Sequence, residues 1–506
     1  MLLKKIPVSC PAIRDQIKGL SRDKSKISFL CNDEKKIEFS RKTICQNSKI
    51  NAALINGYEA INKELEIPLM VESGTGIGIV KFFEGKNIFI TGGTGLLGKV
   101  LVEKILRSTP VGKIYVLVKA DDSEAAMDRL AKELVNSDLF GCVQEKHGKY
   151  YQKFIKEKLI PVVGNISYVN GEREGIILEK PLIMGENRRN DDVETSPLFR
   201  RLDVGDEINL ALRSCTATSN YEMTRDMKRL GMERAKFYGW YNTYHLSKAM
   251  AEMVIHETRG DIPVLIIRPS VIESCYKQPY PGWIQGNRMF DPIIISYGKG
   301  QLPAFLGDPN TPMDIIPLDI VVNTTIAAIA KHACMGKSEL NVYQLASGFV
   351  NPLRFLEFFE YIHEYFSSDP LIESESFTRI NYYDNLAKIK YFDNFDDFSK
   401  YTREEIFERL RNAFGVGEKT IQTKIQKQCK AKVAYAEHLS KMYEFLGFFK
   451  ARFDAGNTQK LLSEMSNDEK MSFAIDVKEI NWRKYFQEVH IPGLRKHVLN
   501  DKRISI

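Results

Sequence analysis

Apolar and polar positions change period several times along this chain. Residues 88–90 (Ile-Phe-Ile) make a short unbroken apolar run, the pattern of a strand buried on both faces. The run breaks into Thr91-Gly92-Gly93-Thr94-Gly95-Leu96-Leu97-Gly98, and helical spacing follows, with Leu97, Val100, Leu101 and Ile105 on one face. Residues 113–118 and 159–163 repeat the buried-strand pattern, separated by a mixed helical stretch. The rhythm then fails. Between 168 and 240 the best strand-like run is Ile176-Ile177-Leu178, and 187–192 and 214–219 read as polar loops. Periodic structure resumes at Tyr244, with a helix over 244–255, a strand over 263–267, and an apolar run over 314–322 leading into a helix rich in alanine and isoleucine. From 351 the pattern is helical and aromatic, with Phe355, Phe358, Phe359, Tyr361 and Tyr365.

Strand, glycine turn, helix, strand predicts an α/β fold with a doubly wound parallel sheet of Rossmann type. Such a sheet should supply a fourth and fifth strand before the helix at 244. Here two strand–helix units are missing, roughly 60 residues or more at ~30 per unit. The expected organisation is a leader over 1–80, an incomplete Rossmann-type domain over 81–350, and a mainly α-helical C-terminal domain over 351–506.

Charge changes the picture only once it is located. The chain of 506 residues carries a formal net charge of +7. Residues 1–50 hold 12 of the 72 basic and five of the 65 acidic residues, so the excess lies entirely there and the rest is neutral. A neutral body removes the main support for nucleic-acid binding. The basic segment reads either as a leader removed on organelle import or as a basic tail, since Asp15, Asp23, Asp33, Glu34 and Glu38 depart from an acid-poor leader. The eight cysteines are scattered, with no C-x-x-C pair, which argues for a reduced compartment and against a zinc or disulfide framework. No apolar run approaches the ~18 residues of a membrane span, so membrane contact would be peripheral.

The glycine stretch carries the first candidate chemistry. Gly92 and Gly95 let the backbone turn and approach a pyrophosphate, and Gly98 lets the helix pack against its strand. The helix N-terminus offers N–H groups and partial positive charge to the phosphates. The candidate contacts are Thr91, Gly92, Gly93, Thr94, Gly95, Leu96, Leu97 and Gly98, with Gly164 and Asn165 after the third strand. The G-x-x-G-x-x-G spacing is typical of extended short-chain dehydrogenase/reductases. Lys119 ends the second strand, where a cation favours the 2′-phosphate of NADPH, although Asp121 and Asp122 stand close. Tyr244 and Lys248 lie four apart on one helix face. A phenol, with its ordinary pKa near ~10, needs a neighbouring ammonium to work as a proton donor near neutrality. Tyr244 would protonate a carbonyl oxygen, and Lys248 would also hold the nicotinamide ribose.

At these residues the sequence resembles the plant fatty acyl-CoA reductases, most of all the plastid, male-sterility type. The matching stretches are 82–98, 238–250, 267–274, 281–288, 451–458, 480–482 and 490–494. The resemblance implies NADPH-dependent reduction of a fatty acyl thioester, on long-chain acyl-CoA or acyl carrier protein, to a primary alcohol through an aldehyde. It also implies a C-terminal male-sterility domain and a plastid transit peptide, with the cytoplasm or the endoplasmic-reticulum surface as the alternative location. The sequence departs from that pattern after Ser167. Family members have an N-A-A turn there, and later an S-T-A-Y-V strand end whose hydroxyl completes a Ser/Thr-Tyr-Lys triad; here 162–167 runs straight into Tyr168. Two other readings stay open: a catalytically impaired remnant that only binds, and another extended reductase or epimerase, which leaves the C-terminal matches unexplained.

Overall fold

The computed structural model describes residues 76–120, 122–163, 176–184, 202–214, 220–334, 338–371, 386–414 and 419–501, all within one compact unit, Glu72–Ile506. The body begins with helix α1 (Ile79–Phe83), strand β1 (Ile88–Ile90), helix α2 (Leu96–Ser108) and strand β2 (Ile114–Val118). Helices α3 (Ser123–Leu130), α4 (Gly141–His147) and α5 (Tyr151–Lys158) lead to strand β3 (Leu159–Val163). The three strands form one parallel sheet in the order β1-β2-β3, with Ile88 opposite Ile114 and Val118 opposite Val163. They meet because each is apolar: Ile114, Val116 and Val118 are fully buried in the middle strand. On α2, Val100, Val102, Ile105 and Leu106 face the core, each contributing roughly 1.5–3 kcal/mol by leaving water.

Beyond β3 the chain makes a two-residue strand, β4 (Ile176–Ile177), then helices α6 (Val204–Ser214), α7 (Asn220–Phe237) and α8 (Thr243–Thr258). Helices α6 and α7 correct the expectation that regular structure resumes only at Tyr244. Their apolar residues escape a search for buried stripes because many stay in water: Ile208, Leu212, Tyr221 and Phe237 are all exposed. The loop expected over 187–192 lies outside the described residues, as do residues 1–75 of the predicted leader.

Strand β5 (Val264–Pro269) follows, shifted slightly from the expected 263–267, and then β6 (Val271–Glu273), α9 (Asp291–Gly298), β7 (Ala304–Leu306), β8 (Pro312–Met313) and β9 (Ile315–Pro317). Next come α10 (Leu318–Cys334), β10 (Leu340–Leu345), β11 (Leu353–Arg354), α11 (Phe355–Ser368), β12 (Lys390–Phe392), and the long helices α12 (Phe395–Phe414) and α13 (Lys419–Gly447). Strand β13 (Arg452–Phe453) and short helices, among them 456–464, 467–472 and 491–497, complete the described chain.

The sheet is broken where the sequence is short of strands. β5 pairs in parallel with β10, Val264 opposite Leu340, and this pair is separate from β1-β2-β3. Among the described residues, no strand pairs with the free edge of β1 or of β5. The consequences for burial are direct. Phe89, in what should be a central strand, is 57% exposed, and all six positions of β5 are only half-buried. Helix α10 holds the two pieces together by packing on α1, α2 and β5.

Candidate active site

The glycine loop is fully built. Gly92 sits at φ +69°, in the left-handed region that favours glycine, and the Gly95 N–H donates to its carbonyl oxygen at 2.9 Å to close the turn. A Cβ on Gly98 would overlap the Gly92 carbonyl and come within 2.7 Å of the Gly93 Cα, so only glycine lets α2 start this close to the loop. Gly95 is the N-cap of α2 and has no side chain to cap it, so the first-turn N–H groups are left for an anion. Gly92 and Gly95 are exposed, Gly93 is buried, and Thr91, Thr94, Leu96, Leu97 and Gly98 are half-buried. This cradle fits the pyrophosphate of a dinucleotide.

Lys119 stands just past the end of β2 with its side chain exposed, while its carbonyl accepts from Arg129 Nη1 at 2.8 Å. Of the two neighbouring acids, Asp122 is committed elsewhere: its carboxylate accepts the Ala125 N–H at 2.8 Å and caps α3. Asp121, Gly164 and Asn165 lie outside the described residues.

Helix α8 brings the second pair together. Asn242 caps it by accepting the His245 N–H at 2.9 Å, which fixes the turn carrying Tyr244. Tyr244 is 60% exposed, and Lys248, one turn on, is half-buried; burial draws its ammonium down to about 8. Burial, then the Lys248 charge, pushes His245 down to about 4, so the imidazole is neutral. The opposite face, Leu246, Ala249 and Met253, packs with Leu182, Leu202, Val204, Ala235 and Trp240 in a cluster apart from the main core. A clamp ties that helix to the sheet. Arg268, near the end of β5, holds Glu252 with both guanidinium edges, Nε at 3.1 Å, and also donates to the Lys180 carbonyl at 2.8 Å; Glu252 accepts the Leu182 N–H at 2.8 Å. Sequence reasoning missed Glu252. Its signal is an acid on the buried side of a helix, facing a strand that ends in arginine.

The two halves of the site are thus each formed but rest in different apolar clusters, with no strand between β1 and β5 among the described residues. The pyrophosphate side of a dinucleotide site is present. The wall that a fourth strand would give the nicotinamide half is not part of this sheet.

Comparison with known proteins gives the same division. A family model described as "Male sterility protein", with an NAD-binding designation, matches residues 90–170 and again 156–325; a second of the same description matches 416–501. The chloroplastic fatty acyl-CoA reductase 2 of Arabidopsis thaliana is 37% identical over 565 aligned positions, covering 96% of this chain and 90% of that protein. The chain belongs to the fatty acyl-CoA reductase family. The alcohol-forming fatty acyl-CoA reductase of Simmondsia chinensis is 31% identical over 499 positions, covering 83% of this chain and 99% of that protein. A nonribosomal peptide synthetase reductase domain from Mycobacterium tuberculosis overlaps loosely, covering 82% of this chain and 94% of that one at 13% identity and a TM-score of 0.44.

The two fatty acyl-CoA reductase alignments each run about 79 positions longer than the stretch of this chain they cover, summed over all gaps. The family model is matched in two pieces that overlap over 156–170, a stretch that contains Ser167.

Proposed function

We propose that this chain is an NADPH-dependent, plastid-type reductase of long-chain fatty acyl thioesters whose turnover is held far below that of a family member with the full strand set, because no strand among the described residues pairs with the free edges of β1 and β5. The nicotinamide cofactor, when bound, supplies hydride to the thioester carbonyl carbon. The chain's residues do the rest. Gly92 to Gly98 and the N-terminus of α2 would hold the pyrophosphate, with Thr91 and Thr94 beside it; Gly164 and Asn165, proposed from the sequence as further cofactor contacts, lie outside the described residues. Lys119 faces the 2′-phosphate. Tyr244 gives its proton to the thioester oxygen, Lys248 steadies the ribose and favours the phenolate, and the thiohemiacetal collapses to an aldehyde that a second round reduces to the alcohol. The thiol carrier is coenzyme A or acyl carrier protein. Plastid location draws on the basic segment at 1–50 and on the chloroplastic relative.

The observation carrying the low turnover is the edge of β1, which no strand among the described residues pairs with and where Phe89 is exposed. A misplaced proton-transfer partner alone costs about 10²–10⁴ in rate, and this sequence has no intact S-T-A-Y-V stretch to carry the triad hydroxyl. The test compares this chain with a version carrying a family-type insert after Ser167, assayed for alcohol formed from a saturated acyl-CoA and from acyl carrier protein. The restored version should be at least ~100-fold faster. Comparable rates from the two would overturn the reading.

A further inference from the structure

Away from the dinucleotide loop, three chemically potent side chains converge in the core. Glu273 ends β6, Asp291 opens α9, and His490 closes a wide helical turn over 485–490. All three are completely buried. One oxygen of each acid is accounted for: Glu273 Oε1 accepts the Phe290 N–H at 3.0 Å, and Asp291 Oδ2 accepts the Arg288 N–H at 2.9 Å. The remaining atoms, Glu273 Oε2, Asp291 Oδ1 and His490 Nε2, have no hydrogen-bond partner, and they point at one another. No lysine or arginine pairs with either carboxylate among the described residues.

The tautomer of His490 sharpens the problem. Tyr485 Oη donates to the Ser274 carbonyl at 2.9 Å, and its oxygen lies 3.2 Å from Ser274 Oγ. His490 Nδ1 lies 3.0 Å from the same Oγ. One consistent chain runs from Nδ1–H to Ser274 Oγ, from Oγ–H to Tyr485, and from the phenol to the backbone, and leaves Nε2 with a lone pair; the reverse chain, Ser274 Oγ–H to Nδ1, puts the proton on Nε2 facing Asp291 Oδ1. In the first, three lone-pair atoms face each other in a closed site where uncompensated charge is costly.

The structure assigns Glu273, Asp291 and His490 as the ligands of a buried divalent metal site. Nε2 is 3.2 Å from Asp291 Oδ1 and 3.8 Å from Glu273 Oε2. Ligands at ~2.0–2.2 Å around a tetrahedral ion stand roughly 3.3–3.6 Å apart, between the two histidine distances, and all three ligand atoms lie within 4.8 Å of one another. One imidazole and two carboxylates suit zinc, manganese or ferrous iron, and a double positive charge neutralises the two acids. The histidine, with Nδ1 held by Ser274, has the outer hydrogen bond that metal-bound imidazoles carry. Complete burial makes the site structural: it pins the C-terminal turn at His490 to the segment 273–291.

The competing arrangement holds protons in place of a metal, with Glu273, raised by burial and by Asp291 beside it, carrying one. Elemental analysis by inductively coupled plasma mass spectrometry separates the two, using full-length chain purified without a polyhistidine tag and incubated with zinc. The parent should hold about one equivalent of divalent metal, His490→Gln less than about 0.1, and the His256→Gln control a full equivalent. Stripping the parent with dipicolinate should lower its melting temperature by at least about 5 °C, and zinc should restore it, which tests the site even if the variant fails to fold. A parent holding under about 0.1 equivalent, a full equivalent retained by His490→Gln, or a stripped parent that melts unchanged would each overturn the assignment.

Discussion

At the scale of single residues, the glycine loop shows how far one atom decides a site. Gly98 is glycine because a methyl group there would sit on the Gly92 carbonyl, which is backbone and cannot move aside. Gly98→Ala should therefore push α2 off the loop, costing about 1–3 kcal/mol of overpacking and weakening NADPH binding at least about tenfold. Isothermal titration alongside a melting curve checks both numbers, and unchanged affinity would mean the cradle is not the binding surface. Lys119 tests a different quantity, choice of cofactor. Its side chain is exposed at the end of β2, where a cation is expected to favour a 2′-phosphate. NADPH should bind more tightly than NADH, and Lys119→Asp should erase or reverse the preference. The geometry of the glycine loop was legible in the sequence because its motif is local and dense. Glu252 and the metal triad were not, because their partners lie far off in the chain, 16 residues for Arg268 and 216 between Ser274 and His490.

Among the elements, those with a buried apolar face were readable and those without were not. Strands 88–90 and 159–163 coincide with their apolar runs, although their burial is incomplete: Phe89 is exposed, and Ile160 to Val162 are half-buried. Helices α6 and α7 were lost because their side chains at Ile208, Leu212 and Tyr221 face water, which erases the stripe on which a helix reading depends. Helix α1 adds a subtler case. Only five residues long, it is held by a distant carboxylate: Glu469 accepts the N–H groups of Ile77, Gly78 and Ile79 at 2.9, 2.7 and 3.0 Å, and that of Ser466 at 3.0 Å. Burial raises Glu469, but these four donors outweigh it and hold the carboxyl below its ordinary range. A depressed carboxyl stabilises the fold fully above its unfolded value, near ~4.3, and that gain is lost as pH falls through the folded value below it. Glu469→Gln should cost about 1 kcal/mol at pH 7, modest because the carboxylate is half open to solvent. Denaturant midpoints for parent and variant should converge below pH ~4. A difference that persists undiminished in acid would show that the cap acts through shape and not charge.

For the whole molecule the decisive feature is that, among the described residues, β1-β2-β3 and β5-β10 form separate sheets. In a complete doubly wound sheet β1 would be central and among the most protected strands; here β2 takes that place, with β1 and β3 on either side. The hydrogen bonds give the direction of each amide. Ile88 N–H donates to the Lys113 carbonyl across β2, so by strand alternation Phe89 N–H faces the vacated side. Val264 N–H donates to the Glu339 carbonyl next to β10, so Leu265 and Ile267 N–H face the slot from the other edge. These three amides, on apolar residues beside an exposed phenylalanine, form the kind of open edge that recruits another chain. Hydrogen exchange should therefore be fast at Phe89, Leu265 and Ile267 and slow through Ile114–Val118, the reverse of what a central β1 would show. Restoring a family-type block after Ser167 should protect all three amides together, since one strand pairing with β1 and its neighbour pairing with β5 close both edges at once. In the parent, Phe89→Lys should reduce self-association in sedimentation velocity while leaving the melting temperature almost unchanged, because the ring it removes lies largely in water. Slow exchange at Phe89 in the parent chain would mean that something already covers the edge of β1, and the account of a vacated slot would fall with it.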